Sequence, residues 1–196
     1  TYISIPHTIK SIYRQKDNNS NYSSYHSFHA CPIDSIYWNA NNFEYNYNSS
    51  YSTPFYYFQG KQSIKSIVFG DSIRSIPNSF CSDMTNLSSV TFDGSITSIG
   101  SYAFSGCSSL KDITIPQGVT AIDSYAFQNC TGLTDIPVHA NIKTIGSHAF
   151  EGCTGFTSFV IPEGVETIAE AAFSKCNITY ISIPHTIKSI YRQKDN

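Results

Sequence analysis

Residues 110–130 read LKDITIPQGVTAIDSYAFQNC, and their spacing of apolar side chains decides how the chain folds. Ile113 and Ile115 stand two apart, so in an extended segment both point to the same side, while Asp112 and Thr114 point to the other. Pro116 donates no backbone hydrogen bond and ends that strand. A second apolar pair follows, Val119 and Ile122, then a turn of small residues, then the knob Ala126-Phe127 and Cys130. A unit this short has nowhere of its own to bury so many inward groups.

The same clock runs on either side. Leu133, Ile136, Val138, Ile142 and Ile145 repeat the aliphatic positions, and Phe156, Phe159, Ile161, Val165 and Ile168 repeat them again. Phe80, Phe104, Phe127, Phe150 and Phe173 recur at steps of 24, 23, 23 and 23, and Cys107, Cys130, Cys153 and Cys176 each follow their phenylalanine by three. Phe28 and Cys31 keep that offset near the start. A fixed period is the mark of stacked repeats, in which each inward group meets its equivalent in the next coil about 4.8 Å away. The expected fold is one right-handed, β-rich solenoid over residues 1–196, with about eight coils of ~23 residues. It should carry a parallel sheet on the strand side, short turns or a second small sheet opposite, and little helix.

The pattern Leu-x-x-Ile-x-Ile-Pro-x-x-Val-x-x-Ile-x-x-x-x-Phe-x-x-Cys at 110–130 resembles the BspA-type (Treponema pallidum-like) leucine-rich repeats of bacterial and protist surface proteins. The likeness is specific from about Ile64 to Ile190 and looser before it, where Ile33, Ile36 and Trp38 still fit a strand. Residues near 13–28 and 41–62 depart from the pattern and read as loops inserted into coils. The resemblance implies a leucine-rich-repeat solenoid at an extracellular or cell-surface location, acting in adhesion or partner binding. It implies no enzyme.

Residues 1–18 and 179–196 carry the same eighteen residues, TYISIPHTIKSIYRQKDN. The other repeats share only their inward pattern, whereas here exposed-type positions such as His7/His185 and Lys10/Lys188 are copied too. Two explanations stand: a tandem array with a 178-residue super-repeat that builds a fibre or filament, or a single repeat copied once. Neither end shows a polar capping repeat, so head-to-tail self-association is expected.

Composition narrows the function further. Only 13% of residues are charged and the net charge is -2, which offers no field for phosphate backbones or anionic lipid, so nucleic acid is not an expected partner. The apolar runs are far shorter than the roughly 20 residues a membrane helix needs. No Gly-x-Ser-x-Gly elbow, His-Glu-x-x-His, phosphate loop or dinucleotide turn occurs, and the acidic residues are scattered. No catalytic residue, cofactor or metal is therefore assigned. His26, His29 and Cys31 lie close together in sequence as a metal cluster would, but Cys31 holds the repeated core position and is read as inward. His139 and His148 have no companion motif and default to the surface. The cysteines of the ladder, parallel and inward, are expected as free thiols.

Contact surfaces remain. The strand positions between inward residues should face solvent: Ser35 and Tyr37, Ser66 and Val68, Ser89 and Thr91, Asp112 and Thr114, Asp135 and Pro137, Ser158 and Val160, Tyr180 and Ser182. They are small, polar and nearly uncharged, suited to a protein or carbohydrate ligand or simply to solubility. The Tyr/Asn-rich stretches 22–25 and 43–58 combine rigid aromatic area with adaptable polar groups, with local packing over the core as the alternative. The candidate partner-binding residues are Tyr22, Tyr25, Tyr37, Tyr45, Tyr47, Thr91, Asp112, Thr114, Asp135 and Tyr180.

Overall fold

A computed structural model describes residues 2–5, 33–40 and 61–190. Along the chain the strands are β1 (Tyr2–Ile5), β2 (Ser35–Trp38), β3 (Ser66–Phe69), β4 (Ser75–Ile76), β5 (Ser89–Phe92) and β6 (Ser98–Ile99). They continue as β7 (Ala121–Ile122), β8 (Thr144–Ile145), β9 (Ser158–Val160), β10 (Thr167–Ile168), β11 (Tyr180–Ser182) and β12 (Ser189–Ile190). Among the described residues helix is confined to one short turn at Lys61–Ser63.

Every strand pairing is parallel, as winding in one direction requires. On the first side of the coil β1, β2, β3 and β5 form a sheet in that order, and β9 pairs with β11. Residues 112–115 and 135–137 continue the line without forming strands. The sequence pattern predicts a strand there. Pro137 supplies a cause at its own rung, since it has no N–H to give to a ladder. The inward register survives the break, with Ile113, Ile115 and Ile136 all buried. The second side is the more regular: β4, β6, β7, β8, β10 and β12 form one unbroken six-stranded sheet. Its inward column is isoleucine throughout: Ile76, Ile99, Ile122, Ile145, Ile168 and Ile190.

The third side carries the phenylalanine knobs and is hydrogen-bonded without being strand. The N–H groups of Tyr125, Phe127 and Asn129 donate to the carbonyls of Ser147, Ala149 and Glu151 on the next coil, at 2.9, 2.9 and 2.7 Å. Tyr102, Phe104 and Gly106 do the same to Ser124, Ala126 and Gln128. This geometry needs a left-handed residue at two places per coil. One set is Ser79, Tyr102, Tyr125, His148 and Ala171, with φ between 52° and 61°. The other is Asp83, Gly106, Asn129, Gly152 and Lys175. Gly106 shows why the second set favours glycine, aspartate and asparagine. Its φ is +76°, and a Cβ there would lie 2.7 Å from Asp83 Oδ1.

Inside, one core cluster runs from Ile33 to Ala172. Phe104, Phe127 and Phe150 are fully buried and stack with centroids 5.4 and 5.6 Å apart and planes within 7° of parallel. At the other end of the stack the large ring of Trp38 meets Phe80 edge-on at 5.0 Å. The thiols of Cys107, Cys130, Cys153 and Cys176 each donate to a carbonyl of the preceding coil, Cys130 to Phe104 at 3.0 Å and Cys153 to Phe127 at 3.0 Å. Cys81, Cys107, Cys130, Cys153 and Cys176 are free thiols, as the inward placement predicts. Val138, Phe173 and Cys176 are only partly buried. For Phe173 and Cys176 the reason is position, since they belong to the last described knob, with no further knob stacked over them. The stretches 13–28 and 41–60, with His26, His29 and Cys31, lie outside the described residues.

Candidate functional site

Pleating sends alternate strand residues out of the first side of the coil. The register aligns Tyr2, Ser35, Ser66 and Ser89 in one outward row and Ser4, Tyr37, Val68 and Thr91 in the next. Downstream, Ser158 aligns with Tyr180 and Val160 with Ser182. Thr91, Asp112, Thr114 and Asp135 are exposed, and so are Val160 and Tyr180, at 65% and 62%. Among these outward strand positions the acidic groups are the two aspartates, and the rest are hydroxyls, short aliphatics and aromatic rings.

Tyr37 is less available than its neighbours. It is half-buried, and a Cβ on Gly70 would lie 2.6 Å from its hydroxyl, so the glycine is there to let the ring lie down. Burial, with Asp71 and Asp93 nearby, pushes the phenol above its ordinary range. Beside it Asn39 binds the same turn, accepting from the Ser72 N–H at 2.9 Å and donating to Asp71 Oδ1 at 3.1 Å. Tyr22, Tyr25, Tyr45 and Tyr47 fall outside the described residues. Of the ten candidates the structure therefore brings Tyr37, Thr91, Asp112, Thr114, Asp135 and Tyr180 onto one side of the coil.

A second feature was not selected from the sequence. Tyr102, Tyr125 and His148 occupy the same left-handed position in three successive coils and stack face to face. Their centroids are 4.4 and 4.6 Å apart and their planes lie within 4° of parallel. At the base of this stack Glu151 is 7% exposed and gathers three donors. Lys175 Nζ lies at 2.6 Å, Gln128 Nε2 at 3.0 Å and His148 Nδ1 at 2.8 Å. The Lys175 hydrogen bond outweighs the opposing cost of burial, and with help from Gln128 and His148 it draws the carboxyl down to about 2. His148 is accordingly part of a network and not a plain surface histidine. His139 is likewise half-buried, with Nε2 2.9 Å from the Pro116 carbonyl. The signal for the ring stack was present as the triplet Ser-Tyr-Ala, Ser-Tyr-Ala, Ser-His-Ala at a 23-residue spacing, but outward positions carry no hydrophobic pattern to draw notice.

Chemically this arrangement holds rather than reacts. The imidazole face is covered by Tyr125, and the carboxylate is saturated by three donors. Among the described residues no group of three His, Cys, Asp or Glu could hold a metal ion, and no helix is long and apolar enough to cross a membrane.

Parallel coils closed on three sides around one core define a solenoid repeat protein. The family model for the BspA type leucine rich repeat region matches in six copies, over residues 7–95 and 74–194, and the chain belongs to that family. Solved structures share the fold. A leucine-rich repeat protein from Eubacterium ventriosum superposes with a TM-score of 0.62 at 18% identity, covering 94% of this chain and 45% of its own. One from Bacteroides ovatus gives 0.56 at 22%, covering 96% and 47%. The T. pallidum leucine rich repeat protein gives 0.52 at 21%, covering 60% and 69%. This chain thus spans a little under half the length of the first two. No curated protein sequence matches it closely.

Proposed function

We propose that this chain is a non-enzymatic extracellular or cell-surface repeat protein whose outward strand face takes a protein or carbohydrate ligand. The observation that carries this reading is the face itself. Thr91, Asp112, Thr114 and Asp135 stand exposed on successive coils, with Tyr180 further along the same side, and there are few charges to desolvate. Family membership supports the surface location, because BspA-type repeats are what surface proteins of bacteria and protists carry. The test is binding of the full chain to arrayed extracellular proteins and glycans, before and after Thr91→Arg, Thr114→Arg and Asp135→Arg are introduced together. Binding that is lost in the triple variant while the fold is kept supports the reading. Binding unaffected by the three changes overturns the assignment to this face.

A structural role is the second reading: a tandem array with a 178-residue super-repeat, assembling into a fibre. It is favoured by the identity of 1–18 with 179–196, which extends to outward-type positions such as His7/His185 and Lys10/Lys188. Light scattering against concentration tests it, with growth expected and a strictly monomeric chain as the contrary result.

A further inference from the structure

The ring column on the third side of the coil stops one place short. Ser79, Tyr102, Tyr125 and His148 share one left-handed geometry, with φ of 55°, 59°, 61° and 56°. They also share one ladder bond: their N–H groups donate to the carbonyls of Ser101, Ser124, Ser147 and Glu170 at 2.8, 3.1, 2.9 and 2.9 Å. Three of these positions carry rings, stacked 4.4 and 4.6 Å apart. Ser79 carries only a hydroxymethyl group, so one face of Tyr102 is covered by Tyr125 and the other lies toward the coil of Ser79. Tyr102 is 40% exposed, whereas Tyr125, with a ring on each side, is half-buried. Among the described residues no other ring stacks on Tyr102. At the far end of the column Ala171 carries no ring either, but His148 there is half-buried and held by Glu151.

We propose that this place takes one pyranose ring of a glycan, lying on the open face of Tyr102 and over Ser79 as the next ring of the column would. The site is separate from the strand face and does not depend on it. An aromatic face is negative and attracts the weakly positive C–H groups that line one side of a pyranose. The platform is fixed before a ligand arrives, because Tyr102 rests on Tyr125, Tyr125 on His148, and His148 Nδ1 lies 2.8 Å from Glu151 Oε2. The rim decides between a sugar and a further aromatic ring. Asn78 Oδ1 accepts from the Ser101 N–H at 2.9 Å, which ties the coil of Ser79 to the coil of Tyr102. Asn78 Nδ2, Ser79 Oγ and Ser101 Oγ have no protein partner among the described residues. Sugar hydroxyls can satisfy these groups, whereas an aromatic side chain would strip their water and return nothing. All three are neutral, which suits an uncharged ligand.

The test is titration of the full chain with the methyl glycosides of glucose, galactose, mannose and N-acetylglucosamine, followed by saturation-transfer NMR. A contact of one ring's size predicts a dissociation constant of about 1 mM for at least one of them, with the strongest transfer to the C–H groups of one ring face. Tyr102→Ala removes the platform and should weaken binding by about tenfold. Ser79→Tyr completes the column with the protein's own ring and should abolish binding while Tyr102 stays in place. Thr91→Arg, Thr114→Arg and Asp135→Arg together should leave this binding unaltered, which separates it from any ligand of the strand face. Circular dichroism confirms that the variants keep the coil. Undiminished binding by Ser79→Tyr or by Tyr102→Ala would overturn the site, as would no glycoside bound at about 50 mM. Binding of N-acetyltyrosine amide but of no glycoside would overturn the choice of a sugar.

Discussion

The coil around Phe127 and the coil around Ile181 follow one sequence pattern and end in opposite states. Leu110, Ile122, Phe127 and Cys130 are fully buried, because a coil lies on each side of them. Ile181, Ile183 and Ile190 are 38–56% exposed, because among the described residues a coil lies on one side of them only. The inward pattern is thus a capacity for burial, and the neighbours determine how much of it is realised. Stability in such a stack is a sum of coil and interface contributions, so the middle should be firm and the last coil loose.

Core truncation shows the contrast most strongly. Phe127→Ala should cost about 3–5 kcal/mol in urea unfolding, and Phe173→Ala clearly less, since its ring is only partly covered. Equal losses would mean that the last knob is as enclosed as the central ones.

Backbone strain sharpens the same comparison. Gly106→Ala should destabilise the chain by about 1–3 kcal/mol, because φ is +76° and the added Cβ meets Asp83 Oδ1. Ala171→Gly, at the other left-handed position and near the loose end, should be neutral or stabilise by up to about 1 kcal/mol. Thermal midpoints measure both, and a Gly106→Ala variant as stable as the parent would contradict the third ladder.

Acid should act at the boundary between the firm and loose coils. Glu151 titrates near 2 in the folded chain against an ordinary 4.5, a depressed carboxyl. Its contribution is complete above about 4.5 and is lost as pH falls towards about 2. Glu151→Gln should therefore flatten the fall of stability across that window. An unchanged slope would mean that Lys175 and His148 do not hold the carboxylate in solution.

Thiol labelling gives the smallest perturbation. Burial lifts Cys153 to about 12 and raises Cys107 and Cys130 as well, so all three should resist alkylation in the folded chain. Cys176, half-buried at the last knob, should react first. Mass spectrometry at timed intervals gives the order, and prompt labelling of all four would refute the inward ladder.

Much of this was legible in the sequence because burial imposes a period. Ile113, Ile115, Ile122 and Phe127 announced their places through spacing alone, and so did the parallel winding. The gaps in the first sheet were not legible, since the inward side chains at 113, 115 and 136 keep their pattern whether or not the backbone pairs. The Tyr102, Tyr125 and His148 stack escaped for a related reason. Its members lie outside the core, where no hydrophobic period marks them. Nor does any composition rule tie Glu151 to a lysine 24 residues away. Alternation along the strands reads Tyr37 as solvent-facing, and it carries no sign that Gly70 and Asp71 engage the ring.

Amide hydrogen exchange on dilute chain tests the central claim most directly, because it reads the backbone of each coil separately. Ile122 and Ile145, in the middle of the six-stranded sheet, should exchange only through global opening. Ile181 and Ile190 should exchange orders of magnitude faster. Protection at Ile181 equal to that at Ile122 in the monomeric chain would show that the coils are stable on their own account, and would contradict a fold held together by its neighbours.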